Sequence, residues 1–507
     1  MFKHIAIVGI VLLFSKLTAF IVEILLAYRL GADSESDALN VLFSLHNLLY
    51  PLISIGIWKV FLPQYINLKI TKGLFFADAY ANKLIFVFIF ISVIFSCTLY
   101  FGSNFLVSVI VPGFDPIRHD MAVSLIQLSC PQYIFVTIAA IFSVMLQAHK
   151  QFFGSQIREI ATYIPLLFVL IFCYEKLGIN SLAIAILIGA IFRFLVQLPF
   201  VRWGYTFRID FSFDVEQTNY FFKALPLVML VCSIDQVNQL VTKIYASFLE
   251  LGTLSVLSYA TRLNNAFGTL LGVTIGTVLF PRINEVLANG ELELLNKYIL
   301  NVISAFFFVL FPITVFCQIY AFDLVSLAFY RGAFSFETCQ KTSLIFAILS
   351  FGMLSSNLFV VLNNIFYAKN DLLTPLKLSG IILSVNLTLC HFTNIYNWGL
   401  SGLAMANVIS SNIGLLAIVF SLRKSLRNTF RSLLIELSKM TIATLVALLL
   451  SNILSNILIQ ATFLNLPISK IIISSITFAS IYLLFLYILR SRTLMIFKEK
   501  FLLLLGR

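Results

Sequence analysis

The chemistry available to this chain lies in charged and amide side chains set inside long apolar runs. Lys16 and Glu23 stand seven residues apart in one run, hence on one face of a helix, with Phe20 between them. His46 and Tyr50 share a face of the next run, and Lys59 sits toward its far end. Arg193 lies within a later run, Asp235 with Gln236, Asn238 and Gln239 in another, and Arg262 with Asn264 and Asn265 in the one after it. An ionisable group inside a membrane span is costly, so it faces a watery cavity or a partner of opposite sign. The excess here is cationic, and guanidinium groups make forked contacts to phosphate oxygens. Such a cavity suits an anionic, phosphate-bearing substrate. Plainer readings stand beside this one. Lys59 and Lys243 could snorkel to an interface, Lys16 could pair with Glu23, and His46 and His391 read more readily as packing residues than as ligands. Arg193 and Arg262 have no acid close in sequence, which makes cavity lining the sharper reading for both.

The elements that must position these residues are membrane helices. Hydrophobic residues make up 60% of the 507 positions and charged residues 11%, and the mean hydropathy is +1.00, outside the range of soluble globular chains. A span needs about 20 apolar residues, and about fourteen candidate runs can be marked, the first over residues 5–29 and the last over 468–489. The first run is too long for a signal-peptide core, is interrupted by Lys16 and Glu23, and lacks a small-x-small cleavage site, so it is predicted to remain as a helix. The net charge of +12 does not point to nucleic acid, because the cations gather in short connections between apolar runs. Lys69, Lys72, Arg158, Arg202, Arg208, Arg282 and the basic tail fall on one side, which by the positive-inside rule predicts that both termini are cytoplasmic. Most of the seven cysteines lie inside apolar runs with no Cys-x-x-Cys spacing, which marks them as small hydrophobes rather than disulfides or metal ligands.

The runs are duplicated. Gly31-Ala32, Pro63-Gln64, Ala148-His149-Lys150 and Gly178 to Ala183 recur as Gly252-Thr253, Pro281-Arg282, Ala368-Lys369 and Gly399 to Ala404, at offsets of 218 to 221 residues. Each match is weak alone, but four in order at one offset, all at the ends of apolar runs, mark a repeat. The shift carries helices 1–6 onto 7–12, and six is even, so the copies share one orientation about an axis along the membrane normal. The expected fold class is an all-α polytopic membrane protein built from two parallel six-helix repeats plus two further helices at the C-terminus. The expected domains are 1–215, 216–425 and 426–507. Bundles of this kind usually carry something across the membrane. No connection is long enough for a soluble domain, which argues against an appended ATPase or glycosyltransferase.

Several local motifs resemble a known family. Phe14-Ser15-Lys16, Leu30-Gly31-Ala32 with Ser36-Asp37-Ala38, Asn47-Leu48-Leu49, Gly56 and Leu62-Pro63 resemble the opening of the MurJ/MviN family of lipid II flippases. Pro112-Gly113-Phe114, Gln197-Leu198-Pro199, Arg262-Leu263, Arg331-Gly332-Ala333-Phe334, and Phe366-Tyr367-Ala368 with Asp371 and Thr374-Pro375 continue the match through helix 12. The resemblance implies the multidrug/oligosaccharidyl-lipid/polysaccharide exporter fold, with two six-helix lobes in a V around a cavity and helices 13 and 14 forming a groove for a polyprenyl tail. It implies a transporter rather than an enzyme, moving an undecaprenyl-diphosphate sugar outward across the bacterial inner membrane by alternating access. The partners implied are a polyprenyl-diphosphate-linked glycan lipid and membrane lipid, not nucleic acid, for a monomer working beside the cell-wall synthesis machinery.

The candidate cavity residues, from their place in apolar runs and from the resemblance together, are Lys16, Glu23, Asp37, Asn47, Lys59, Arg193 and Arg262. Arg262 matches a family arginine directly, and Lys16 matches another conservatively. Val22 and Tyr50 stand at two further arginine positions and Ile55 at an acidic one. Arg193 and Lys59 are cations where the family usually has none, as though cavity charge had been relocated. Some family members bind sodium between helices 7, 11 and 12. Asp235, Asn386 and Asn407 could supply its oxygens, but Cys390 stands where a further oxygen ligand is expected, and no other cofactor is implied.

Three other readings compete. A paralogous flippase for O-antigen, capsule or another polyprenyl-linked glycan is favoured by the missing arginines. A small-molecule exporter of the same superfamily typically has twelve helices and no extra pair. A membrane glycan polymerase would need a catalytic carboxylate or histidine with a sizeable periplasmic loop, and the periplasmic segments here are short.

Overall fold

In lipid a backbone N–H or C=O has no water to bond, so an apolar run must satisfy these groups within itself, and the helix does so. The computed structural model describes residues 2–201, 215–268, 292–369, 371, 373–423, 430–462 and 467–504, and no strand occurs among them. The helices are α1 (Phe2–Leu30), α2 (Ser34–Thr71), α3 (Leu74–Ile110), α4 (Pro116–Ser129), α5 (Gln132–Ala148), α6 (Phe152–Phe168), α7 (Tyr174–Leu177), α8 (Asn180–Leu195), α9 (Leu198–Val201) and α10 (Val215–Ala246). They continue as α11 (residues 253–268), then α12 (Leu292–Ile319), α13 (Ala321–Phe329), α14 (Phe336–Ser350), α15 (Met353–Ala368), α16 (Leu373–Ile395), α17 (Gly399–Ser421), α18 (Phe430–Thr462), α19 (Pro467–Ile488) and α20 (Arg492–Leu504). Among the described residues nine segments are long and apolar enough to cross a membrane, or up to eleven if each of two bent pairs is one span. Outward-facing rings such as Phe101 and Phe105, 83% and 76% exposed, would be untenable in water and are ordinary against acyl chains.

The repeat reappears as matched backbone features. The α4–α5 and α14–α15 pairs bend by 47° and 44°. Asp115 caps α4 by accepting the Arg118 N–H at 3.5 Å, and Ser335 caps α14 by accepting the Thr338 N–H at 3.1 Å. Gly31 and Gly252, and Gly178 and Gly399, take left-handed conformations at equivalent places. The Pro281-Arg282 match lies outside the described residues.

Helix limits differ from the sequence expectation at the polar ends. α2 runs through Pro51 and Pro63 to Thr71 and keeps Lys69 in its last turn, and α3 includes Lys83. Arg158, expected in a loop, is in α6, and Arg193 falls in the last turn of α8 rather than midway along a helix.

The chain forms two compact units. The first is Met1–Ser255 with Arg331–Phe334, and the second is Val256–Tyr330 with Ser335–Arg507. The division at 255, rather than the expected 215, follows from packing. Phe221 of α10 is fully buried in a core with Phe61 and Tyr65 of α2, Leu84 of α3 and Ile141 and Met145 of α5. The short turn 331–334 joins this unit because the Ala333 N–H donates to the Tyr28 carbonyl at 2.9 Å. In the second unit, Met440 and Ala443 of α18 and Phe478, Tyr482 and Leu486 of α19 form a core onto which Phe308 and Phe316 of α12 pack. The Tyr482 hydroxyl donates to the Phe308 carbonyl at 2.8 Å. The expected separate segment 426–507 is therefore part of the second unit. Buried Glu436 accepts from the Ser491 hydroxyl and from the Thr493 N–H at 2.9 Å, fixing the start of α20 to α18.

Two left-handed glycines distinguish backbone strain from close packing. A Cβ on Gly252 would collide with the Ala32 carbonyl, whereas one on Gly178 would meet nothing within 4 Å. Gly178→Ala should therefore cost only the conformational strain of its positive-φ, extended backbone, about 1–3 kcal/mol, and Gly252→Ala distinctly more. Thermal unfolding of the two variants in detergent checks this, and equal midpoints would show that the Ala32 contact gives way freely.

Candidate functional site

A carboxylate with no exposure survives only if every lone pair is used. Asp37, in the first turn of α2, is 0% exposed. It accepts the Gly252 and Ser255 N–H groups, each at 2.9 Å, and the Ser255 hydroxyl at 2.6 Å. These N–H groups open α11, where the helix dipole favours an anion. Arg118 Nη1 lies 3.3 Å away, is also paired with Asp115, and stacks over Phe114 at 4.5 Å. Arg118's hydrogen bond holds the Asp115 carboxyl below the usual carboxylate range. A polar stripe then continues along α2 at helical spacing. The Asn40 amide donates to Ser255 Oγ at 3.2 Å, Lys243 Nζ of α10 donates to Ser44 Oγ at 2.7 Å, and Asn47, next in the stripe, is exposed.

Near the middle of α2 lies a second cluster. Arg193 is 3% exposed, yet it is not an isolated cavity cation as its sequence surroundings suggested. Its Nη2 bonds Glu159 Oε2 of α6 at 2.7 Å, and its Nε donates to Thr162 Oγ1 at 2.9 Å. The guanidinium lies 4.3 Å from the Tyr50 ring centroid, and the Tyr50 hydroxyl donates to Glu159 Oε1 at 2.9 Å. Arg158 Nε approaches the same Oε1 at 3.2 Å, and His46 stacks on Tyr50 at 5.5 Å. Three helices thus converge on one carboxylate. Sequence reasoning missed Glu159, whose partner is 34 residues away, and misplaced Arg158. The polar string Arg158-Glu159 and Thr162-Tyr163 at the edge of an apolar run was the available signal.

The remaining sequence candidates are scattered. Lys16 and Lys59 are exposed and Glu23 is partly buried. Arg262 is partly buried on α11 and belongs to the second unit. Of the sodium candidates, Asn386 is fully buried and its Oδ1 accepts from the Cys390 thiol at 3.5 Å. Asn407 is partly buried on α17, and the side chain of Asp235 lies outside the described residues. A thiol against the one buried amide oxygen fits a hard cation poorly. Among the described residues no three His, Cys, Asp or Glu side chains gather as a metal site.

The Asp37 cap generates a graded expectation. Asp37→Ala strands two backbone donors and the Ser255 hydroxyl, leaves Arg118 paired with Asp115, and should destabilise by about 3–5 kcal/mol, the range for breaking a buried pair. Ser255→Ala removes one hydroxyl and should cost about 1 kcal/mol. Denaturation midpoints of the purified variants measure both, and an Asp37→Ala protein as stable as Ser255→Ala would contradict the ranking.

Comparison with known proteins agrees with this architecture. The family model described as "Lipid II flippase MurJ" matches residues 26–473. Among relatives, the probable lipid II flippase MurJ of Buchnera aphidicola subsp. Baizongia pistaciae is 24% identical over 388 residues, 75% of each chain. The lipid II flippase MurJ of Burkholderia cenocepacia is 24% identical over 429 residues, 81% of this chain and 82% of that one. Among solved structures, a lipid II flippase MurJ in an inward closed conformation superposes with a TM-score of 0.80 at 20% identity, covering 95% of this chain and 98% of the other. An inward-facing multidrug transporter of the MATE family superposes with a TM-score of 0.67 at 15% identity, over 82% and 96% of the two chains. With the family model spanning all but the ends of the sequence, the chain belongs to the MurJ family of lipid II flippases.

Proposed function

We propose that this protein moves lipid II, an undecaprenyl-diphosphate-linked peptidoglycan precursor, from the cytoplasmic to the periplasmic leaflet of the bacterial inner membrane by alternating access, as a monomer with both termini in the cytoplasm. The observation that carries this reading is the family match over residues 26–473, supported by cations set within apolar helices. A diphosphate leaving water for a low-dielectric site loses its hydration and needs counter-charge. Arg262, at the position of a family arginine, is the leading diphosphate ligand, with Lys16 and the Arg193 cluster as further counter-charge and Glu23, Asp37, Asn47 and Lys59 as the remaining cavity set. Arg193 seated on the Tyr50 ring supports relocation of cavity charge to this place.

A flippase for another polyprenyl-linked glycan is the second reading, favoured by Val22 and Tyr50 at arginine positions. Depletion of the protein separates the two, since the lipid-linked precursor that accumulates in the inner leaflet is the substrate. Arg262→Ala should abolish transport while the protein accumulates normally. Lipid II flipping at the parental rate by that variant, measured in vesicles, would remove Arg262 from the site.

The driving force proposed is the membrane potential, because moving net cavity charge through the field is worth about 2.3 kcal/mol per charge per 100 mV. Sodium bound by Asp235, Asn386 and Asn407 is the weaker candidate, given the Cys390 thiol on Asn386. Vesicles with potential and sodium gradient imposed independently decide between them. Flipping is expected to follow the potential, and a rate set by sodium alone would reverse the assignment.

A further inference from the structure

The carboxylate at the centre of the Arg193 cluster is not among the residues that the sequence or the family resemblance singled out. Charged and polar groups from four helices surround it. Arg158 flanks it on α6, Arg193 reaches it from α8, and the Tyr50 hydroxyl reaches it from α2. Lys16 of α1 is within electrostatic reach of it, and Glu23 acts on Tyr163, which is itself within reach of Glu159. Two arginines on one carboxylate leave the inner cluster with an excess positive charge, to which Lys16 adds and from which Glu23 subtracts.

Two further observations point to an anion as its ligand. Arg193 Nη1 is buried with no hydrogen-bond partner among the described residues, so the guanidinium has donor capacity that Glu159 and Thr162 do not use. The carboxylate is the more accessible partner of each pair. The side chain of Glu159 is 23% exposed, against 4% for Arg193 and 12% for Arg158. An anion approaching the cluster from outside therefore meets the edge of Glu159 before it meets either guanidinium.

We propose that Glu159 is a resident counter-anion that holds Arg158 and Arg193 in place when the site is empty and that a phosphate oxygen of the diphosphate headgroup displaces, so that it sets how tightly the headgroup is held and how readily it leaves. This rests on the headgroup reading given above for Lys16 and Arg193. The physical logic is exchange of one anion for another. Two guanidinium groups stranded in a low-dielectric interior would be costly, and a carboxylate removes that cost without a ligand. The same carboxylate then competes with the phosphate on entry and helps to expel it afterwards. Glu159 is thus a positioning residue for the arginines, and its removal should tighten binding while slowing transport. A merely structural ion pair does not give that combination.

The test uses the full-length protein in vesicles, with undecaprenyl diphosphate as the binding probe and lipid II flipping as the transport assay. Glu159→Gln keeps the shape and one acceptor oxygen and removes the charge. It is expected to bind undecaprenyl diphosphate about tenfold more tightly or better and to turn over several-fold more slowly. Unchanged or weaker binding in a stably folded Glu159→Gln protein overturns the proposal. Should that variant fail to fold, Tyr50→Phe loosens Glu159 without altering charge and is expected to tighten binding to a smaller degree, with unchanged affinity counting against the proposal. Arg193→Gln separates the two levels of inference. Loss of binding in Arg193→Gln without a gain in Glu159→Gln leaves the headgroup site standing and removes the role of Glu159. Arg193→Gln binding like the parent removes the headgroup reading of this cluster and the counter-anion with it.

Discussion

Each charge placed inside an apolar helix must be compensated where it stands, and much of what is particular to the first unit follows from that constraint. Asp37 is fully buried because the N–H groups of Gly252 and Ser255 and the side chains of Ser255 and Arg118 supply donors on every side. Arg193 is tolerated because Glu159, Thr162 and the Tyr50 ring surround it. In both places the compensation comes from distant sequence. A buried charge therefore ties helices together more specifically than apolar packing can, since burial of methylenes is non-directional and a forked guanidinium contact is not. α2 carries both attachments along its length, one in its first turn and one near its middle, and this makes it the organising helix of the unit.

The apolar face of the same constraint was legible in the sequence. Runs of apolar residues without water for the backbone have only the helix open to them, and the duplication could be read from glycines at helix ends. Gly31 and Gly252 need a left-handed backbone, and that need leaves a mark in the residue type. The bends are less legible, because different residues make them. The first falls at Pro131, which lacks an N–H for the helix, and the second at Phe351-Gly352. The same shape written in two chemistries escapes a search for matching residues.

What could not be read was partnership across helices. Arg193 looked alone because its acid is on α6, and no periodicity within one helix reports on its neighbour. The contact-based division falls at 255, away from the repeat boundary expected at 215, for the same reason: Phe221 packs into the core of α2, α3 and α5, and contact decides where a compact unit ends. Arg158 was read as a loop cation because charge at the edge of an apolar run resembles charge beyond it. α6 begins six residues earlier, at Phe152.

The Tyr50 position shows how a site can keep its electrostatic character while its residues change. Tyrosine has no charge, but its ring presents a negative face to a cation and its hydroxyl can bind a carboxylate. Here the face holds Arg193 and the hydroxyl holds Glu159. A cation delivered from α8 then occupies the region where a side chain of α2 would otherwise bring it. Such an arrangement is harder to assemble than a single arginine, because it needs three helices in register. It also has a property that one arginine lacks. The guanidinium comes with a competing anion on a separate helix, so the strength of the site depends on the distance between α6 and α8. Any motion of those helices during a transport cycle would change the affinity for a headgroup phosphate without moving the cation out of the membrane.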